Sequence, residues 1–420
     1  MNRRTFLRLS AAAGVAIATT PRWLVGAKAA TNAYPGPYWL TIHASGGWDP
    51  TLLCDPKGRL SDNQTDPVNR SYYQSDVVQV GPFQVAPIDG NQAFFQRFQN
   101  DLLVINGIDT QTNSHETGTR HVWSGSTHVG FPSLAALVAA STLDRPSMSY
   151  VTQGGYDLTD GLVSSTRLTN STTVNSLAYP NRYNPNSPDT NHFTEATIAR
   201  MREAQSARLA RLRAAAGLPR EAHAMDALAE ARLGDNELSQ LAAMLPGDLD
   251  DSNNPLLRQA QIAMACFKAG VSVSCSMGLG GFDTHSRHDN DHTPRVQQLI
   301  AGIAYAMDEA ERQGIADKLI VVVGSDFART PWYNDGNGKD HWSITSMMLM
   351  GPGITGGRVV GSTDYYQVPN NLGALPSGLN GERITPAHVH ASLRALAGVN
   401  DWAPASRYPV GQPLPGLLTG

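Results

Sequence analysis

Cysteine is scarce in this 420-residue chain. Cys54, Cys266 and Cys275 are the three present, so at most one disulfide can form and a disulfide-built framework is excluded. Cys266 falls in a predicted helix and Cys275 in the strand after it, a placement suited to buried thiols, and no structural disulfide is expected. Charge is thin as well: Asp, Glu, Lys and Arg make up 16% of residues and the formal net charge is −4, so no basic field invites a nucleic-acid partner. Past the first residues, no stretch approaches the ~20 uninterrupted apolar residues that cross a bilayer. No internal repeat divides the chain.

What is present begins with Arg3-Arg4 ahead of a short, mildly apolar run, Leu9 to Ala18, and the small-x-small pattern Ala27-Lys28-Ala29. This is the layout of a twin-arginine leader over residues 1–30. It predicts the twin-arginine export machinery as a partner, a periplasmic or secreted location, and no stable membrane span after cleavage. The remaining 31–420 are enough for one elaborate α/β domain or two smaller ones.

The order of elements points to a parallel sheet. Strands are predicted at Tyr38–His43, Leu102–Asn106, Val271–Met277, Leu319–Val323 and Ile344–Met350 from their β-branched and apolar runs. Asn254-Pro255 starts a helix that Gly270 ends, Thr293-Pro294 another that Gly314 ends, and Thr385-Pro386 a last one through Ala397. Residues 150–192, rich in Ser, Thr, Asn, Tyr and Pro, read as surface loops over the site, and 193–245 as a helical hairpin broken at Gly217-Leu218-Pro219. Helix, strand, loop, helix, strand is the rhythm of a parallel α/β sheet.

Several predicted strands end in acidic or histidine-bearing loops: Gly46-Gly47-Trp48-Asp49, Gly281-Phe282-Asp283-Thr284-His285 and Ser325-Asp326-Phe327, with Lys339-Asp340-His341-Trp342 following. The crevice beyond the carboxyl ends of parallel strands is where such folds bind ligands. Asp49, Asp283, His285, Asp326, Asp340 and His341 are oxygen and imidazole donors suited to one or two divalent ions, with zinc, manganese and calcium not distinguished. Arg329 is placed either to clamp an anionic oxygen or to pair with a structural carboxylate. Trp48, Trp332 and Trp342 read as core packing or as an apolar wall.

Taken together with Ser114-His115, Trp123-Ser124-Gly125, Ala328-Arg329-Thr330-Pro331 and Gly353-Ile354-Thr355-Gly356-Gly357, in this order, these motifs resemble the bacterial domain-of-unknown-function family fifteen-oh-one. That family is in turn similar to the alkaline phosphatase and sulfatase superfamily. The resemblance covers nearly the whole chain after the leader. It implies a doubly wound, mostly parallel sheet with helices on both faces, and a metal-dependent site. By position, Asp49 resembles the superfamily's N-terminal metal-binding aspartate, Asp283 and His285 its Asp-then-His pair, Asp326 its strand-end acid and His341 its last histidine. Phe327 departs from the superfamily, which commonly has histidine directly after the strand-end acid. His288 is a reserve ligand.

Ester hydrolysis in this superfamily also needs a nucleophile, for which Ser114 is the choice in the loop after Ile105, with His115 beside it to contact substrate; the alternative is that Ser114 caps a helix. Cys54 lacks the Cys-x-Pro-x-Arg context that sulfatases use for formylglycine. The expected function is an exported metal-dependent hydrolase of a small anionic ester, phosphate before sulfate. The rival is an exported binding or assembly protein that keeps the scaffold without turnover.

Overall fold

All seven residues of β1 (Tyr38–Ala44) are buried, because this strand is covered on both faces. The computed structural model describes residues 34–370 and 383–419, apart from 144, 147, 216, 219, 223, 224, 226–234 and 247. The expected leader over 1–30 lies outside the described residues, as does Pro219 of the expected hairpin break. The strands after β1 are β2 (Val78–Val80), β3 (Phe83–Val85), β4 (Leu103–Asp109), β5 (Tyr150–Thr152), β6 (Ser165–Arg167), β7 (Ser274–Leu279) and β8 (Leu319–Ser325). They continue with β9 (Ala328–Arg329), β10 (His341–Trp342), β11 (Ile344–Met350) and β12 (Arg358–Val360). One 8-stranded sheet has the order β12-β4-β11-β8-β1-β7-β5-β6, while β2 with β3 and β9 with β10 form separate ribbons.

Strand β11 runs antiparallel to both its neighbours, β8 and β4, and the other pairs in the large sheet are parallel. The carboxyl ends of β4, β8, β1 and β7 therefore open on one edge. Helices cover both faces, as a doubly wound sheet requires. Leu40, Ile42 and Ala44 turn to one face, with Phe267 of α7 (Pro255–Lys268) and Leu299 and Ile303 of α8 (His288–Gln313). Trp39 turns to the other, with Trp123 of α2 (His115–Ser124), Leu137 of α3 (Leu134–Ser141) and Leu393 of α9 (Pro386–Leu396). Helix α1 (Asn91–Phe98) packs on the first face through Phe94, Phe95 and Phe98. The three cysteines are free and buried.

Three expectations need correction. Strand β7 starts at Ser274 rather than Val271, because the Val271 N–H is bonded to the Cys266 carbonyl and closes the end of α7. Helix α8 starts at His288 rather than Thr293: Arg287 is left-handed at φ 47° and its carbonyl takes the N–H groups of Asn290 and Asp291, while Pro294 sits inside the helix. Residues 150–192 are not loops alone, since they hold β5, β6 and α4 (Ser171–Ala178) at the sheet edge. Within 193–245 the structure includes α5 (Glu195–Ala215) and α6 (Asp235–Met244).

Two glycines let the loops of this edge meet. Gly46 has φ 116°, and a Cβ there would run into the backbone of Asp283. Gly118, on α2, lies against the backbone carbonyl of Asp326, so α2 approaches the end of β8 closely enough for His115 to reach it. Replacing Gly118 with alanine should push α2 outward and destabilise the protein by roughly 1–3 kcal/mol, the usual effect of overpacking, measured by chemical denaturation.

Candidate metal centre

Four segments converge at this edge. His115 opens α2 after β4, Asp283 and His285 lie in the loop after β7, Asp326 follows β8, and His341 is in β10. His115, Asp283 and His341 each bring one donor atom within 4.8 Å of the other two. The His285 Nε2 adds a further donor, 2.9 Å from Asp283 Oδ1 and 3.0 Å from His341 Nε2. Asp283 Oδ1 is also 3.3 Å from His341 Nε2 and 3.4 Å from His115 Nε2.

The outer nitrogens decide what the inner ones carry. His115 Nδ1 is 2.6 Å from Asp326 Oδ2, His285 Nδ1 is 2.8 Å from Asp340 Oδ1, and His341 Nδ1 is 2.7 Å from the Asn113 carbonyl. Each of these partners only accepts, so each neutral ring keeps its proton on Nδ1 and turns an Nε2 lone pair inward. Three lone pairs then face one carboxylate oxygen. His115 Nε2 is shielded from solvent and has no hydrogen-bond partner among the described residues. The Arg329 guanidinium, 2.8 Å from the same carboxylate oxygen, offsets the charge of Asp283 but does nothing for the imidazole lone pairs, which are left without a donor. Three protons would answer that lack badly, since the His341 ring centroid lies 4.4 Å from that of His115 and 4.7 Å from that of His285. Burial, together with the charge of Arg329 and His115, also holds the His341 pKa below its ordinary value.

A single divalent ion fits better. Ligands bound at 2.0–2.1 Å around a tetrahedral ion stand roughly 3.3 Å apart, close to the 2.9, 3.3 and 3.4 Å between Asp283 Oδ1 and the three rings. The carboxylates behind the rings of His115 and His285 stand where outer partners that orient metal-binding imidazoles stand. The cluster is open to solvent, with the Asp283 side chain 46% exposed. It lies at a cleft of about 650 Å³, which His115, Asp283 and Asp326 line together with Tyr156 and Leu158. Phe327 fills the place next to Asp326, its ring 4.7 Å from His115 and 4.5 Å from His341.

Asp326 and Asp340, expected as ligands, stand behind the imidazoles instead. Asp326 is 2% exposed, with Oδ1 on His43 Nε2 at 2.5 Å and Oδ2 shared by His115 and the Gly46 N–H. Burial opposes its ionisation, but the hydrogen bond and charge of His43, then His115, bring its pKa down to about 2. Asp340 accepts from His285 and from Asn334 Nδ2, and the His285 bond lowers its pKa. Partial burial raises the Asp283 pKa, but Arg329 and the imidazoles outweigh it, so the carboxylate is favoured.

Arg329 takes the structural role of its two expected ones. It is fully buried, donating from Nε to the Gly47 carbonyl, from Nη1 to the Lys339 carbonyl, and from Nη2 to the Gly46 carbonyl and Asp283. Ser114 is exposed at the N-cap of α2, and its side chain makes no capping bond.

Asp49 is not brought to the cluster. It lies in a second, fully buried network, 2.6 Å from Lys339 Nζ and 3.0 Å from His288 Nε2, with Thr51 on its other oxygen. Lys339 also reaches Asn69 Oδ1 at 3.1 Å. The Asp49 N–H is bonded to His292 Nε2, and Thr284 Oγ1 touches both His288 Nδ1 and His292 Nδ1. His288, the reserve ligand, is therefore committed here. Burial works against the charge of Asp49, but Lys339 and then His288 overcome it and hold the pKa far below the carboxylate range. Sequence reasoning passed over His43, His292 and Lys339. The one signal available was the helical i, i+4 spacing of His288 and His292, obscured by placing the helix start at Thr293.

The family described as "Protein of unknown function (DUF1501)" matches residues 39–401. No curated protein matches the chain. Among solved structures it is similar to Ps i-CgsB in complex with k-i-k-neocarrahexaose, at 9% identity over 91% of this chain and 76% of that one, with a TM-score of 0.43. It is also similar to the phosphonate monoester hydrolase of Agrobacterium radiobacter, at 10% identity, 91% and 77% coverage and a TM-score of 0.37. A TAB5 alkaline phosphatase mutant with Mg bound is similar at 10% identity, 76% and 92% coverage and a TM-score of 0.34. Likenesses this distant carry no argument about the chemistry.

Replacing Lys339 with methionine takes the buried cation from Asp49, leaving it only His288 and Thr51, and should cost about 3–5 kcal/mol in chemical denaturation. Because the folded pKa of Asp49 is depressed, its stabilising contribution is complete above the unfolded value of about 3.9 and is lost as pH falls toward the folded one. Denaturation midpoints measured from pH 6 down to pH 2 should fall more steeply in the native protein than in Asp49→Asn.

Proposed function

The chain belongs to this family of unknown function, so its chemistry has to be read from its own side chains, and we propose that it is an exported metal-dependent hydrolase of an anionic ester, phosphate before sulfate. The observation that carries this reading is the tethering of three imidazoles by Asp326, Asp340 and Asn113, which aims their free nitrogens at Asp283. Three nitrogens and one carboxylate suit zinc or a similar transition ion, whereas calcium takes six to eight oxygens. One ion is the better count, because both oxygens of Asp49 and of Asp326, and Oδ1 of Asp340, are already bonded within the protein.

Such an ion, when bound, supplies Lewis acidity toward an ester oxygen and lowers the pKa of water. The protein's own contribution is to hold the ligands in place. Asp326 and Asp340 fix the rings of His115 and His285, and Arg329 holds Asp283 through Oδ1, the oxygen that the imidazoles also face. Tyr156 and Leu158, on the cleft wall, would receive the organic part of the ester. Among the described residues no serine or threonine hydroxyl is hydrogen-bonded to His115, Asp283, His285 or His341, Ser114 included. Water rather than a protein hydroxyl is therefore the attacking group in this proposal. The same observation favours the rival reading, a binding protein without turnover.

Export rests on the paired arginines of the first residues. No helix among the described residues is long and apolar enough to cross a membrane.

Protein exported in its native host and purified without chelators should contain about one equivalent of a transition metal. Asp283→Ala combined with His341→Ala should abolish both that metal and any cleavage of phosphate or sulfate esters. Metal without cleavage of any ester would favour the binding protein, and failure to take up metal after reconstitution would overturn the assignment.

A further inference from the structure

His43 is absent from the set of residues described as ligands, yet it is the innermost member of a continuous chain that ends in the cleft. It is the sixth of the seven residues of β1, and alternation turns it to the face that carries Trp39 and Trp123; its ring lies 5.5 Å from that of Trp123. The imidazole is 4% exposed. Nε2 lies 2.5 Å from Asp326 Oδ1, and Asp326 Oδ2 lies 2.6 Å from His115 Nδ1. Among the described residues the buried Nδ1 of His43 has no partner, so the side chain's one hydrogen bond there is to Asp326. Gly155 presses on the other side, where a Cβ would stand 3.1 Å from His43 Cβ.

A buried histidine with one nitrogen unsatisfied is an unfavourable choice for packing alone, since an apolar ring would fill the space beside Trp123 without an orphaned polar atom. What an apolar ring lacks is the N–H. We propose that His43 is a positioning residue that acts through Asp326 on His115. By occupying Oδ1 it pins the plane of the carboxylate, so that Oδ2 meets His115 Nδ1–H and the Nε2 lone pair is held toward Asp283. Without His43, Asp326 keeps only the 3.2 Å bond from Gly46 N and the bond from His115, both on Oδ2. The carboxylate is then left with a bare, buried Oδ1. It can rotate to share His115 differently, and the imidazole loses its fixed aim. Outer partners of metal-binding histidines act in this way.

This inference rests on the metal reading above, and cobalt(II) titration of the full chain separates the two. His43→Phe removes the N–H and keeps an aromatic ring against Trp123. His43→Gln restores a donor at nearly the same position. Loss of the phenylalanine variant's bond should raise the Kd for cobalt(II) by about 10–100-fold, the usual effect of deleting an outer partner, and glutamine should recover most of it. The cobalt absorption spectrum should change in His43→Phe and return in His43→Gln, which a merely structural effect on stability would not produce. Thermal midpoints of both variants identify any that fail to fold, and in that case the glutamine variant alone decides: cobalt affinity and spectrum close to native support the proposal. Native affinity in His43→Phe, or a glutamine variant no better than phenylalanine, overturns the role of His43 while leaving the metal site intact. If the native protein takes no cobalt or zinc, the metal reading itself fails and this inference falls with it.

Discussion

The buried ion pair between Asp49 and Lys339 is the constraint on which the site depends. Two charges with no solvent exposure are tolerable only when every remaining donor and acceptor around them is used, and here Thr51, Asn69, His288 and His292 complete the shell. The pair joins three loops from distant parts of the chain. Asp49 belongs to the loop after β1, Lys339 precedes the β10 strand, and Thr284 couples the loop after β7 through His288 and His292. In that last loop, successive side chains alternate in direction: Thr284 turns into the network while Asp283 and His285 turn to the cleft. Lys339 likewise turns inward next to Asp340 and His341. The buried charges thus set the positions of the exposed donors.

A second line of support comes from acids that do not themselves face the cleft. Asp326 and Asp340 each commit one oxygen, to His115 and His285, and so hold two flexible rings as fixed donors. Arg329 ties the Gly46 and Gly47 carbonyls and Asp283 into one unit. Preorganisation of this kind would lower the cost of ordering these donors around a cation. Phe327, standing against the rings of His115 and His341, adds an apolar wall on one side of the donors.

Much of the fold was legible in the chain. Ile344–Met350 was read to the residue, and β1 and β8 were found within two residues, because long runs of apolar and β-branched residues have few alternatives. The caps at Asn254-Pro255 and Thr385-Pro386 likewise marked α7 and α9. The start of α8 was misplaced because Pro294 resembles a first-turn proline, whereas the left-handed Arg287 that opens the helix leaves no compositional mark. That one displacement hid His288 and His292 as a pair. In the site, Asp283, His285 and His341 could be singled out from loop motifs at strand ends, and the structure places them together; which acids face the other donors and which stand behind a ring could not be read that way. An aspartate that binds a cation and one that orients a histidine have the same side chain, and only the direction of its oxygens tells them apart.

The sequence by itself determined the α/β class, the succession of strands and helices, and the edge of the sheet at which acids and imidazoles would gather, since these follow from local periodicity and from the handedness of parallel connections. Tertiary structure decided which of those groups meet. Lys339 reaches Asp49 across 290 positions, and His43 reaches Asp326 across 283. Contacts at that separation are set by how helices pack on both faces of the sheet, with Gly46 and Gly118 permitting the close approach, and no pattern within a single segment encodes them.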